Sequence, residues 1–163
     1  MKKSIVFYLP LFVLLLSFAG NKVFGQTLPD FKLKLMDGST LSTSQLSHKE
    51  PVLLIYFAPD CEHCRTLMKE LLPQINAFKN VQILMPTFES PDDVRWFINH
   101  FQTNKYPNIK VGIEEPVFFL KNYYKLEHTP FTALFNKNGK LMVSYKEYTP
   151  VSELIKWVKA ISK

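Results

Sequence analysis

VLLIYFAPDCEHCRTLMKELL, residues 52–72, is the most informative run in the chain. It opens with an apolar segment, Val52 to Phe57, that breaks at Ala58-Pro59-Asp60. Two cysteines three positions apart then begin a helical pattern, with Leu67, Met68, Leu71, Leu72 and Ile75 on one face. Positions three apart share a side of a helix, so Cys61 and Cys64 can reach each other. Their Cα separation would fall in the roughly 4.4–6.8 Å that a disulfide tolerates. At a helix start, unpaired backbone N–H groups and the positive dipole end favour a thiolate on the first cysteine. Strand, tight turn and a dithiol at a helix N-terminus is the arrangement that thiol–disulfide exchange needs.

Two other uses of such a pair compete. A Cys-x-x-Cys can be half of a zinc site, which commonly takes two further Cys or His ligands at short spacing. The chain has no third cysteine, and His48, His100 and His128 are scattered. A structural bridge closing so small a loop would remove little entropy from the unfolded chain. The redox reading is therefore preferred, with no metal and no organic cofactor expected.

The N-terminus reads as a secretory signal peptide, residues 1–25. Lys2 and Lys3 precede an uncharged, mostly apolar run from Ile5 to Ala19. That run is short for a membrane span of about 20 residues, and Pro10 interrupts it. Small residues offer cleavage after Ala19 or after Gly25, and no cysteine nearby suggests a lipid anchor. Export to the periplasm is expected, with no stable membrane insertion once the signal is cleaved; retained, it would leave the protein associated with the envelope. Losing Lys2, Lys3 and Lys22 and no acid takes the formal charge from +6 to +3. No dense Lys/Arg cluster remains, so nucleic acid is not an expected partner. In an oxidising compartment the dithiol rests as a disulfide unless a reductant maintains it.

Residues 26–163 read as one α/β domain. Phe31, Leu33 and Leu35 alternate with Lys32 and Lys34 as a half-buried strand, Asp37-Gly38 turns it, and Ser39 to Ser42 returns as a hairpin. Ser42 to Leu46 is a short polar helical turn before the central strand. The helix after the cysteines is expected to reach Phe78, with a kink or break at Pro73. Val81 to Met85 is an apolar run suited to a parallel strand buried on both faces. Ser90 caps the next helix, Pro91 and two aspartates open it, and Val94, Phe97, Ile98 and Phe101 face the core. Asn104 to Ile113 is expected as loop with room for a short strand at Ile109 and Val111. A helix starts at Pro116 and runs through Tyr124, its Phe118, Phe119, Tyr123 and Tyr124 serving packing. Phe131 to Phe135 and Leu141 to Tyr145 form a hairpin about Asn138-Gly139, and Thr149-Pro150 caps a last amphipathic helix.

The order of elements, the CEHC motif and the Thr129-Pro130 step before the hairpin together resemble the thioredoxin fold. The leading hairpin (LPDFKLKLMDGSTLS) and the extra strand–helix segment (VQILMPTFESPDDVRWFINHF) resemble its exported TlpA/ResA-type branch, close to AhpC/TSA-Redoxin-like sequences. The resemblance covers residues 26–163 and implies a three-layer sandwich: a central mixed sheet with an N-terminal β-hairpin and helices on both faces. It implies that Cys61 attacks, Cys64 resolves, and Pro130 is cis and faces the dithiol. The backbone of Thr129 would then pair with a substrate strand. It implies a function in exchanging disulfides with protein substrates, more as reductase than oxidase, sustained by a membrane-embedded electron donor. Glu89 falls where the branch carries an acid that could take the proton of the resolving thiol.

The chain departs from the family in several places. Asp60 stands where a Trp often precedes the first cysteine, and apolar Ile55 where thioredoxins bury an Asp. Glu62-His63 replaces Gly-Pro. Charged His63 would stabilise the thiolate, as in oxidising DsbA-type motifs, while Asp60 and Glu62 oppose it. Two alternatives remain open. A peroxiredoxin-like peroxidase wants Thr or Ser three residues before its cysteine, where this chain has Ala58 and Cys61. A Sco-like copper chaperone could use Cys61, Cys64 and His128, since copper(I) suits thiolates.

Overall fold

The computed structural model describes residues 27–161, so the expected signal segment lies outside the described residues. The elements run β1 (Lys32–Leu35), β2 (Thr40–Ser42), β3 (Val52–Tyr56), α1 (Glu62–Leu71), β4 (Gln82–Thr87) and α2 (Pro91–Phe101). They continue through β5 (Ile109–Glu115), α3 (Phe119–Tyr124), β6 (Phe131–Phe135), β7 (Leu141–Lys146) and α4 (Val151–Ile161). One sheet has the order β2-β1-β5-β4-β3-β6-β7. β3, β4 and β5 are parallel, and every other neighbouring pair is antiparallel.

All five residues of β3 are buried, as a continuous apolar run in the middle of a sheet requires. Its alternation splits the core. Leu53 and Ile55 join Leu67, Met68, Val94, Phe97, Leu154 and Val158 under α1, α2 and α4. Val52, Leu54 and Tyr56 face the other way, with Leu120 of α3 and the hairpin's Leu33. The result is the expected three-layer α/β sandwich with a mixed sheet, an N-terminal hairpin and helices on both faces. The two hairpin turns use glycine where the sequence puts it: Gly38 has φ 87° and Gly139 φ 73°.

Several local expectations shift. α1 ends at Leu71, and Leu72–Phe78 continues as 3-10 helix with Pro73 at its start, where its missing N–H costs nothing. The second half of the stretch expected as loop belongs to β5, which is seven residues long and interior. Pairing explains it: Gly112 lets β1 come so close that a Cβ there would collide with the carbonyl oxygen of Lys34. β4 runs on through Pro86, beyond the expected end at Met85. Its paired register with β3 ends at Leu84, and beyond it Pro86 contributes only its carbonyl, which accepts the N–H of Phe57 at 3.2 Å. α3 begins at Phe119 rather than Pro116. Thr149 does not cap α4 through its side chain; its hydroxyl is buried against Thr132 at 2.8 Å.

Candidate active site

β3 delivers the chain to the turn Phe57–Asp60, and α1 leaves it. Cys61 is the N-cap of α1, in extended conformation, and its Sγ accepts the N–H of Cys64 at 3.3 Å. Its thiol donates in turn to the carbonyl oxygen of Thr129 at 3.3 Å. A sulfur at the first position of a helix therefore sits among backbone dipoles that suit a thiolate. Cys64 is one turn in and 1% exposed. Burial, then the neighbouring Cys61, pushes its thiol well above the ordinary value, so Cys64 holds its proton firmly in the reduced protein.

Arg65 anchors the turn. Its Nε–H donates to the carbonyl of Pro59 at 2.8 Å, and its guanidinium lies 4.8 Å from the ring centre of Trp96 on α2. Sequence reasoning missed this residue, although a cationic i+4 neighbour of Cys61 was a visible signal.

The remaining expected residues gather unevenly. Asp60, Glu62 and His63 are exposed around Cys61. Glu89 is half-buried in the loop before α2; its carboxyl is raised by burial first, then by Asp60 and Asp93. No hydrogen bond ties Glu89 to either thiol; its N–H is held by Thr87 Oγ1 at 3.3 Å. The Thr129-Pro130 bond is cis and Pro130 is buried. A second cis bond, Glu115-Pro116, carried no sequence signal that was read. His63 and Thr129 line one end of a groove of about 350 Å³ together with Tyr56, Phe88, Lys121 and His128. Among the described residues no three His, Cys, Asp or Glu side chains converge to hold a metal.

One functional candidate escaped the sequence altogether. Glu114, at the end of β5, is fully buried and accepts three hydrogen bonds, one of them from the hydroxyl of Tyr56 at 2.8 Å. Burial raises its carboxyl above the usual range, and the three donors pull it back.

Comparison with known proteins agrees with this geometry. The sequence matches the thioredoxin-like domain family over residues 39–162. No curated protein matches it. Among solved structures, it resembles the thioredoxin domain of a Bacteroides vulgatus thiol–disulfide oxidoreductase at 17% identity. That likeness covers 86% of this chain and 98% of the other, with a TM-score of 0.72. A secreted Mycobacterium tuberculosis disulfide oxidoreductase is similar at 16% identity, 80% and 95% coverage and a TM-score of 0.66. A thioredoxin-like protein from Aeropyrum pernix follows at 15% identity, 81% and 89% coverage and 0.64. At such identities the likeness is one of fold.

Proposed function

The chain belongs to the thioredoxin-like domain family, and on that premise we propose that it is an exported thiol–disulfide oxidoreductase acting as a reductase of protein disulfides. The observation that carries the reading is the pairing of an N-cap sulfur with a buried thiol one turn on: Cys61 accepts the Cys64 N–H, while Cys64 keeps its proton. A reachable attacking sulfur and a partner thiol that waits are what two-step exchange requires.

In the forward direction the Cys61 thiolate attacks one sulfur of a substrate disulfide. A Cys61–substrate bond forms, the substrate S–S bond breaks, and the departing thiolate takes a proton. Cys64 then loses its proton and attacks Cys61 Sγ, which closes the Cys61–Cys64 disulfide and releases the second substrate thiolate. Two electrons have passed to the substrate. We assign the proton of Cys64 to Glu89, whose raised carboxyl suits a base working nearer neutral pH. The backbone of Thr129, beside Pro130 and already bonded to Cys61, is the proposed rest for the substrate chain.

The reductive direction is supported by charge. Asp60 and Glu62 flank Cys61 and Glu89 stands within electrostatic reach of Asp60, against the single imidazole of His63. That balance opposes the thiolate stabilisation that makes a couple strongly oxidising. Export is supported by the Lys2-Lys3 leader and its apolar run, and the Mycobacterium tuberculosis neighbour is a secreted protein. No helix among the described residues is long and apolar enough to cross a membrane. A membrane-embedded electron donor would restore the dithiol outside the cytoplasm.

The test is trapping. A Cys64→Ala variant should accumulate mixed disulfides on Cys61, identifiable by mass spectrometry and released by dithiothreitol. Absence of adducts, with copper or zinc bound stoichiometrically to reduced wild type, would replace this reading with metal carriage.

A further inference from the structure

Glu114 occupies a place where the sheet needs no carboxylate. Its Oε1 accepts the Tyr56 hydroxyl at 2.8 Å and the Phe118 N–H at 3.0 Å, and its Oε2 accepts the Leu120 N–H at 2.8 Å. These bonds fix the chain between β5 and α3. Phe118 stands there at φ 65°, in the left-handed region that bulky residues avoid. Its ring is consequently 42% exposed and lies 5.1 Å from the ring of Phe88. Lys121 Nζ sits above both rings, at 5.6 Å and 5.8 Å. Phe88, Lys121 and Tyr56 line the groove that begins at His63 and Thr129. The buried carboxylate thus ties the strand that carries the dithiol turn to an aromatic wall beside it.

We propose that Glu114 is a positioning residue for substrate choice: through Tyr56 and through Phe118, whose ring backs that of Phe88, it holds the Phe88 face of the groove, against which an apolar side chain next to the attacked cysteine of a polypeptide disulfide packs. The inference rests on the thiol–disulfide exchange reading. The occupant follows from the groove. A chain bonded to Cys61 must pass Thr129, whose carbonyl already meets that sulfur. The volume of about 350 Å³ is at the low end of clefts that take small ligands, which span about 300–1,000 Å³, so it admits side chains and not a folded surface. Lys121 faces Glu127 and Glu147 in the same lining, and Tyr56, Phe88 and Leu126 supply its apolar contact.

The experiment compares two peptide disulfides that differ only in Phe or Ala two residues from the cysteine. Wild type should prefer the Phe peptide by about two- to tenfold in kcat/KM, mostly through KM, as an aromatic contact at a partly open site allows. Glu114→Gln keeps the shape but turns an NH2 group toward one of three donors, and should bring the ratio close to one. Phe118→Ala, at the surface, should do the same even if Glu114→Gln does not fold. Equal kcat/KM for the two peptides in wild type, or the preference kept in the variants, would overturn the proposal. Exchange with neither peptide would overturn the exchange reading, and this inference with it.

Discussion

The thiol of Cys61 donates to the carbonyl oxygen of Thr129 at 3.3 Å, across 68 positions of sequence. This contact joins the strand–turn–helix that carries the dithiol to the loop entering β6.

Exposure and ionisation divide the two sulfurs. Cys61 is part-exposed, whereas Cys64 is 1% exposed and its thiol is pushed up by burial. Limiting iodoacetamide at neutral pH should therefore label Cys61 at least about tenfold faster than Cys64, since the thiolate is the reacting form. Peptide mapping reads the ratio; faster labelling of Cys64 would exchange the assigned roles.

The same shift makes the reduced protein sensitive to alkali. An unfolded thiol titrates near 9.0, while folded Cys64 titrates higher. Above about pH 9 the unfolded chain has lost that proton and the folded chain retains it. The contribution of Cys64 is complete below that pH and is lost as pH rises, by at most about 1.4 kcal/mol per unit. Tyr56 and Tyr124 are also raised, but from 10.0, so their losses begin a unit later. Urea unfolding of the reduced protein between pH 9 and 10 should fall more steeply for wild type than for Cys64→Ala. Equal slopes would remove the buried thiol from the account.

Glu89 is raised by burial first and then by Asp60 and Asp93, which favours its taking up a proton. Glu89→Gln should slow closure of the Cys61–Cys64 disulfide by about a hundredfold, the low end of general-base effects. Alkylation of Cys61 should not change. Stopped-flow decay of a preformed mixed disulfide separates the two, and an unaltered closure rate would return Glu89 to a solvated loop residue.

Glu62 and His63 are both exposed on the first turn of α1, so their charges act on Cys61 through water-screened fields. Surface pairs of about 0.2–1 kcal/mol, at 30 mV per 1.4 kcal/mol, correspond to roughly 5–20 mV. His63→Ala should make the couple more reducing by that amount, and Glu62→Ala should displace it oppositely. A glutathione titration showing displacements of the same sign would contradict the electrostatic argument.

The parts of this molecule written in local pattern were legible. The apolar run of β3, the Ser90-Pro91 cap, the Asp37-Gly38 and Asn138-Gly139 turns and the cysteine spacing each depend on neighbours a few residues away. β5 was legible only at Ile109 and Val111: its full length comes from pairing with β1 on one edge and β4 on the other, and Lys110, Glu114 and Glu115 mask its apolar positions. Glu114 illustrates the limit most clearly. In sequence it is one of two adjacent acids, and only the arrival of Tyr56, 58 positions earlier, turns it into a buried acceptor. Phe118 was read as packing because aromatic residues at helical spacing usually are; its left-handed backbone, held by Glu114, sends it outward instead.

The central claim is that Cys61 and Cys64 trade their two thiols for a substrate's disulfide. Reduced protein mixed with one equivalent of an apolar-flanked peptide disulfide, quenched in acid and mapped by mass spectrometry, tests it directly. The account predicts that Cys61–Cys64 disulfide accumulates in step with a pair of liberated substrate thiols, through a transient adduct on Cys61 alone. An intact substrate disulfide beside two free cysteines, or a stable adduct on Cys64, would contradict it.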